Sequence, residues 1–469
     1  MSTRLNLRVG AFLFGLAGLP LMAQGVLGPI GTIIAEQSRT AFSVQGAGAR
    51  AMGLGGAFIA LSDDATAVSF NPAGLAQMVK PEVCLVGRGL NRDVAFQDVQ
   101  TIAGNRTSLV DDSLITTTRF DPLLLAGTFP LRVGGRTLAL QLSLQRLFPL
   151  GEGDARDMVE RPQDGTPPMK LHQSIDQTGQ IDLYSFALAY ELSQRILLGF
   201  SVNYWRGASA LSSTSSNTTG DTTSYVHFEQ NSRLEGANYN LGVLWRWPTW
   251  SLGITRRTAF HADYTYNAAL SSSTHGNMTT PDSTTGLHWP STNGIGLAFH
   301  PTENWLVAMD LTHTSWSETR YMSNRGGLDG VNFFNMNRAG GTADATQFHT
   351  GVERLFLLAS GNLIPLRLGY SREPQPVSDP ITADQRVIQG LSLGTGIKRR
   401  SYTFDVAYRY GWDSRRASQF LDVDQILSNA HSKSIGKETL TEHRLDMSFI
   451  AQFERGPVQD FLHYLFVGE

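Results

Sequence analysis

The chain has 469 residues, long enough for two or three ordinary soluble domains or one large barrel. Charged residues make up 17% and glycine 47 positions, against about 25% and about 7% in typical soluble domains. The net charge of -3 and the lack of any basic block argue against a nucleic-acid partner, and the single cysteine, Cys84, excludes an internal disulfide framework.

The N-terminus reads as a secretory signal peptide, Met1–Ala23: Arg4 and Arg8 form a basic start, Val9–Leu21 is an apolar run, and Ala23 is a small residue at the cleavage point. The apolar run is short for a membrane span, and no later run reaches the roughly 18 apolar residues of a transmembrane helix. Gln24–Lys80 is rich in Gly and Ala and lacks a long alternating run. An exported chain of this kind is either a secreted β protein or an outer-membrane barrel.

From Pro81 onward alternation dominates. Strands are expected near Glu82–Leu90, Phe120–Leu131, Thr137–Phe148, Gly179–Leu192, Arg195–Trp205, Ser232–Trp247 and Trp250–Leu270. Others follow near Trp289–His300, Asn304–Trp316, Thr346–Leu357, Pro365–Glu373, Val387–Lys398, Ser401–Trp412 and Thr439–Phe453. That is about fourteen, an even number as bacterial single-chain barrels require. Cys84, beside Val83, Leu85 and Val86, reads as a small buried or lipid-facing hydrophobe. In Tyr402–Tyr410 one face carries Tyr402, Phe404, Val406, Tyr408 and Tyr410, and the other Thr403, Asp405, Ala407 and Arg409.

Connections alternate between short and long. Arg132–Arg136, Ser193–Gln194, Pro248–Thr249, Pro301–Glu303, Leu358–Ile364 and Arg399–Arg400 are short, most of them punctuated by Pro, Gly or Asn. Pro149–Thr178, Gly207–Asn231, Ser271–His288, Ser317–Ala345 and Asp413–Glu438 are expected as long polar loops, with stretches such as Leu211–Ser224 too polar to fold alone. Tight turns on one side and long loops on the other are the pattern of a transmembrane antiparallel β-barrel, with the long loops facing the cell exterior.

All eight tryptophans fall near strand ends. Trp245, Trp247, Trp250, Trp289, Trp305 and Trp412 share the parity of their strand's apolar face and are expected at the membrane interface, where indole is favoured. Trp205 and Trp316 break parity and require a bulge or a lumen-facing role. In Asp182–Leu192 both faces are largely apolar, so one of them looks into the lumen, either toward a hydrophobic ligand or onto a plug.

Gly48–Met78 reads GARAMGLGGAFIALSDDATAVSFNPAGLAQM, a Gly-rich stretch, an acidic pair and an Asn-Pro-Ala-Gly segment. It resembles the N-terminal signature of the FadL/TodX family of outer-membrane transporters for long-chain fatty acids and aromatic hydrocarbons. Two later stretches are similar to the same family: Trp289–Trp316, WPSTNGIGLAFHPTENWLVAMDLTHTSW, and Pro365–Val377, PLRLGYSREPQPV. The resemblance covers most of residues 46–453 outside the loops. It implies a fourteen-stranded barrel (residues 81–454) closed by an N-terminal hatch (residues 24–80), a hydrophobic pocket, and exit through a gap in the wall. Asn71, Pro72 and Ala73 match the hatch motif. Independently of the resemblance, Pro72 holds Asn71 extended, Asn71 can bond nearby backbone, and Gly53, Gly55 and Gly56 permit close backbone approach. The tail, residues 455–469, leaves open whether the last strand ends at Phe453 or at Phe466.

Enzyme chemistry finds no footing. No phosphate-binding GK[ST] loop or HExxH pair is present, and the GxSxG match Gly390–Gly394 lies inside the expected strand Val387–Lys398 rather than on a strand-to-helix elbow. Asp63 and Asp64 are adjacent and face apart in an extended segment, poor geometry for paired acid–base work. No cofactor or metal is expected. The expected function is passive uptake of a hydrophobic small molecule through the outer membrane of a Gram-negative-type bacterium, with lipid around the barrel. The alternative is a structural or interaction barrel similar to the PorV-like proteins of secretion systems, which share the Gly-rich and Asn-Pro-Ala start. An outer-membrane hydrolase has no support in the sequence.

Overall fold

The computed structural model describes residues 46–103, 106–273, 276–322, 343–378, 384–418 and 432–454. The signal peptide, the first part of the expected hatch and the C-terminal tail lie outside them. A short helix α1 (Ala49–Gly53) and two 3-10 turns (Ala65–Ser69 and Pro72–Gln77) precede the strands. These are β1 (Glu82–Ala103), β2 (Arg106–Val110), β3 (Ser113–Val133), β4 (Arg136–Pro149), β5 (Glu152–Pro162), β6 (Met169–Glu191), β7 (Ile196–Thr219) and β8 (Thr222–Arg246). Then come β9 (Trp250–Arg257), β10 (Phe260–Ser272), β11 (Gly276–Trp289), β12 (Thr292–Thr302), β13 (Trp305–Thr314) and β14 (Arg320–Met322). The last five are β15 (Ala345–Leu357), β16 (Leu363–Ser378), β17 (Gln385–Lys398), β18 (Tyr402–Ser418) and β19 (Ser432–Gln452).

All belong to one antiparallel sheet, and the sheet closes on itself. β1 pairs with β19 from Glu82↔Gln452 to Ala103↔Ser432, which leaves no open edge. β9 and β10 form one interrupted stave, as do β11 and β12, and β13 and β14; with β2 and β5 set aside as an extension at the long-loop end, the ring among the described residues has fourteen staves. No helix among the described residues is long and apolar enough to cross a membrane.

Alternation sorts side chains between lipid and lumen. On β7, Leu198, Phe200, Val202 and Tyr204 are exposed, whereas Leu197, Ser201, Asn203 and Trp205 are buried. On β8, Tyr239, Leu241, Val243 and Trp245 face out, and Asn238, Asn240 and Leu244 face in. β18 follows the expected split, with Phe404, Tyr408 and Tyr410 outside and Asp405, Ala407 and Arg409 inside. An apolar belt this extensive on a folded exterior is stable only against lipid.

The short turns fall where the sequence places them. Between β3 and β4 the two-residue turn Gly134–Gly135 has φ of 57° and 78°, the left-handed geometry that a two-residue hairpin requires. The long connections differ from expectation. Most of residues 149–178, 207–231 and 271–288 continues as strand: β7 and β8 stay paired as far as Thr219↔Thr222, and β10 pairs with both β8 and β11. The Ser/Thr-rich stretch Leu211–Ser224 does not have to fold alone, because its ladder is continuous with a wall already fixed in the membrane. β19 ends at Gln452, and the Phe453 amide bonds the Pro81 carbonyl at 2.9 Å.

Candidate ligand lumen and its hatch

Residues 46–80 fill the lumen at its short-turn half. Asn71 sits at the start of the Pro72–Gln77 turn, fully buried. Its Oδ1 accepts from the Ala73 amide at 3.1 Å, and its Nδ2 donates to the Ile59 carbonyl at 3.0 Å and to the Val243 carbonyl of the wall at 3.1 Å. One side chain thus ties two parts of the hatch to β8. Asp310 on β13 accepts from the Phe58 and Ile59 amides at 2.6 and 2.8 Å, and Ser251 donates to the Ala60 carbonyl at 2.7 Å.

The wall meets the hatch with paired glycines. Gly199↔Gly242, Gly253↔Gly296 and Gly351↔Gly369 are cross-strand partners. A Cβ at Gly199 would stand 2.0 Å from the Ala73 nitrogen, and one at Gly369 2.0 Å from the Gly55 nitrogen. Gly53, Gly55 and Gly56 lie on the hatch side of these contacts. Gly55 and Gly56 turn the chain after α1 with φ of 69° and 97°, and Gly53 lies against Gly394 of β17. Asp63 pairs with Arg50 at 2.5 Å, while Asp64 caps the Ala65–Ser69 turn by accepting from the Thr66 amide at 2.9 Å. The two carboxylates have separate partners, as their adjacency implies. Burial, with the Asp63 charge beside it, pushes the Asp64 carboxyl above its ordinary range.

Three neighbouring staves break ladder at one level. Thr258–Ala259 separates β9 from β10, Pro290–Ser291 separates β11 from β12, and Ser315–Thr319 separates β13 from β14. Below the break Arg257↔Thr292 and Thr292↔Thr314 are paired; above it Phe260↔Trp289 and His288↔Arg320 are. Pro290 has no amide hydrogen to give the ladder. On each stave the break reverses parity, so that side chains which would face lipid turn inward.

Trp289 is the correction this brings. It is expected at the membrane interface with the parity of Ile295 and Leu297, but it is 2% exposed inside the lumen. Trp316, in the 3-10 turn of the third break, and Trp205 of β7 are buried with it, along with Phe148, Phe260, Tyr264 and Tyr321. Ring centroids lie 4.9 Å apart for Trp205–Phe260, 5.3 Å for Trp205–Trp289 and 5.7 Å for Trp289–Trp316, the spacing of tilted and edge-to-face aromatic pairs. Trp205 Nε1 donates to Asn238 Oδ1 at 2.9 Å, so its polar edge is satisfied. Leu183 and Ile181 of β6 join this cluster, whereas Ala187 and Ala189 pack with Ala73 and Leu75 of the hatch. The apolar inner face of β6 is thus divided between the aromatic cluster and the hatch. Cys84 is buried in the hatch-facing cluster.

The opposite wall is charged. Arg409 bridges Glu373 and Glu442 at 3.0 Å each, Arg367 bridges Glu353 and Asp405 at 2.6 Å each, and Arg88 pairs with Asp446 at 2.7 Å. Buried charges persist only when paired in this way. Between hatch and wall lies a cavity of about 80 Å³. Met52, Gly55, Gly56, Ile59 and Phe70 form its floor, and Asn240, Arg257, Thr292, Asp310 and His349 are among its walls. Among the described residues no group of three or more His, Cys, Asp or Glu is placed to hold a metal ion.

The remaining interface tryptophans lie at the barrel rim or surface. Trp245, Trp250 and Trp305 are exposed, and Trp247 stacks between its neighbours at 4.5 Å from Trp245 and 3.6 Å from Trp250. Arg354 lies over Trp305, and Trp412 stacks on Tyr410 at 5.8 Å. Phe148, Phe260, Tyr264, Tyr321, Asn240, Arg257 and Asp310 are absent from the sequence-derived site. The signal that could have found several of them is Pro290 inside an otherwise continuous strand.

No protein-family model and no curated protein matches the sequence. Solved structures do match. A FadL homologue from Pseudomonas aeruginosa superposes with a TM-score of 0.60 at 12% identity, over 88% of this chain and 100% of that one. The toluene transporter TodX of P. putida gives 0.52 at 13%, over 88% and 100%. The CymD monoaromatic hydrocarbon channel gives 0.51 at 15%, over 87% and 98%. With its closed fourteen-stave wall and a lumen filled by its own N-terminal segment, this chain has the fold of the FadL and TodX barrels.

Proposed function

We propose that the protein is an outer-membrane channel of a Gram-negative-type bacterium for passive entry of hydrophobic small molecules, long-chain fatty acids or aromatic hydrocarbons. The observation that carries this reading is the aromatic cluster of Trp205, Trp289, Trp316, Phe148 and Phe260 inside the lumen. A water-filled pore gains nothing from tryptophans turned inward; a hydrophobic ligand gains buried apolar area, at roughly 25 cal/mol per Å². The fold is shared with structures described as a FadL homologue, a toluene transporter and a hydrocarbon channel, which supports the same reading. The sequence holds no nucleotide-binding loop, so the concentration gradient drives entry. Residues 46–80, with residues 24–45, act as the hatch, and Trp245, Trp247, Trp250, Trp305 and Trp412 anchor the barrel at the lipid headgroups. We assign it no enzymatic step.

The test is reconstitution of the mature protein in liposomes, with entry of dodecanoate and of toluene measured against protein-free vesicles. Faster entry of either one supports the reading. No acceleration and no binding of either, with a stable protein complex recovered from native membranes, would establish the interaction-barrel alternative instead.

A further inference from the structure

Below the three-stave break the outer face of β9 runs Trp250, Leu252, Ile254 and then Arg256, which is exposed. The steps from Trp250 to Arg256, at ~3.3 Å each and ~40° of tilt, set the arginine roughly 15 Å above the tryptophan, inside an apolar band of about 25 Å. Its partner on β8 is Leu241, in a lipid-facing column that stays apolar up to Tyr239. On its other side the row continues through Asn293 to His313, both exposed. Above the break a second row crosses the same staves, His261↔His288↔Arg320. Phe260, Trp289 and Tyr321, next to these in sequence, are buried in the lumen, so the second row faces out. His261 and Arg320 are exposed, and the two imidazole centroids lie 5.1 Å apart. Neither Arg256 nor Arg320 has a hydrogen bond or ion pair among the described residues.

A guanidinium turned toward hydrocarbon is destabilising unless an anion meets it. Nothing that passes through the lumen reaches this face. Resting on the outer-membrane placement above, but not on solute passage, we propose that the outer wall at the break binds a phosphorylated glycolipid of the outer leaflet, whose phosphates are held by Arg256 and Arg320 with His261 and His288. The planar fork of arginine matches a phosphate, and basic clusters at a membrane surface select anionic heads. The site opens sideways into lipid, so its occupant is a phosphate carried on acyl chains rather than a free one. The chains lie along the exposed Ile254, Ile295 and Leu311 below the first row. The carboxylates of this region stand on the long-loop side: Glu318 is 3.9 Å from His288, and Asp263 lies opposite Glu235, itself 3.9 Å from Arg206. There they accept hydrogen bonds from sugar hydroxyls and repel the phosphates down toward the arginines.

The test is native mass spectrometry of the mature barrel in a nonionic detergent, with bisphosphorylated lipid A, the same lipid after dephosphorylation, and phosphatidylglycerol added in turn. Wild type is expected to retain bisphosphorylated lipid A more tightly than either of the others by about tenfold or more, the scale of charge-assisted hydrogen bonds. Arg256→Gln combined with Arg320→Gln is expected to abolish that preference. Arg400→Gln, at an exposed arginine in the short turn between β17 and β18, is expected to keep it. His261→Ala combined with His288→Ala is expected to reduce the preference in part, and serves if the double arginine variant does not fold. Equal retention of the phosphorylated and dephosphorylated lipids by wild type overturns the proposal. So does phosphatidylglycerol held as tightly as lipid A, a preference that survives in the double arginine variant, or one that is lost in Arg400→Gln. Each of these results leaves the channel reading intact, whereas failure of wild type to speed entry of dodecanoate or toluene overturns the channel reading and leaves the glycolipid site standing.

Discussion

Gly199 of the wall lies against Ala73 of the hatch so closely that a Cβ on the glycine would come within 2.0 Å of the alanine nitrogen. Hatch and wall meet there backbone to backbone, and no side chain can be inserted without moving one of them. Gly199→Leu is expected to unseat the hatch while the ring still closes through β1 and β19. The barrel should then admit small polar solutes such as glucose in a liposome-swelling assay, where wild type admits little. Unchanged swelling in a folded variant would show that the hatch does not close the pore at this contact.

Asp310 is the wall's grip on Phe58 and Ile59, whose amides it receives at 2.6 and 2.8 Å. Asp310→Ala leaves both donors buried without that acceptor, at about 1–3 kcal/mol. Amide hydrogen exchange at Phe58 and Ile59, followed by mass spectrometry, should accelerate by about tenfold to a hundredfold, with exchange in β6–β8 unchanged. Equal protection in the variant would mean that other contacts hold this segment.

Trp205 and Trp245 lie on adjacent strands but face opposite ways, the first buried and the second 43% exposed. Trp205→Ala removes the ring that packs with Phe148, Phe260 and Trp289 in the lumen cluster and is expected to weaken binding of dodecanoate or toluene by about twofold to tenfold, the range of a lost aromatic contact. Trp245→Ala should leave binding unchanged. Equal effects of the two would place the ligand outside the lumen.

The Asp64 carboxyl is raised above its ordinary range by burial and by Asp63. A raised acid favours the folded state most below its unfolded pKa and loses that contribution as pH rises through its folded value. Asp64→Asn keeps the cap, since asparagine serves as well in that position, and removes the titration. The variant is expected to melt higher than wild type at neutral pH and to lose this advantage at about pH 3, below the usual carboxylate range. A variant that melts lower at neutral pH would show that the Asp64 charge is stabilising.

How far the sequence reveals this molecule depends on whether a feature is periodic. The outer faces of β7, β8 and β18 alternate without interruption, and so do the tight turns between them, so the barrel and its closure can be read from residues alone. The hatch can be read from Asn71, Pro72 and the glycines, because close packing needs particular residues. Alternation fails at Thr258–Ala259, Pro290–Ser291 and Ser315–Thr319. Each break shifts parity by leaving residues out of the ladder, and no period carries across it. Trp289 therefore carries the lipid-face parity in the sequence, and no pattern marks Phe260 or Tyr321. The long polar segments read as loops because their composition cannot sustain an isolated fold, yet Leu211–Ser224 extends a ladder whose register the rest of β7 and β8 already fixes.

The most direct test of the account is whether a hydrophobic tail reaches the inward tryptophans. In a variant retaining Trp205, Trp289 and Trp316 and carrying phenylalanine at the other five positions, a bromine-tagged fatty acid should quench most of the fluorescence in a saturable way. In the complementary variant, which retains only the other five, quenching should be weak and should not saturate. Saturable quenching confined to that complementary variant would place the tail outside the lumen and contradict the account.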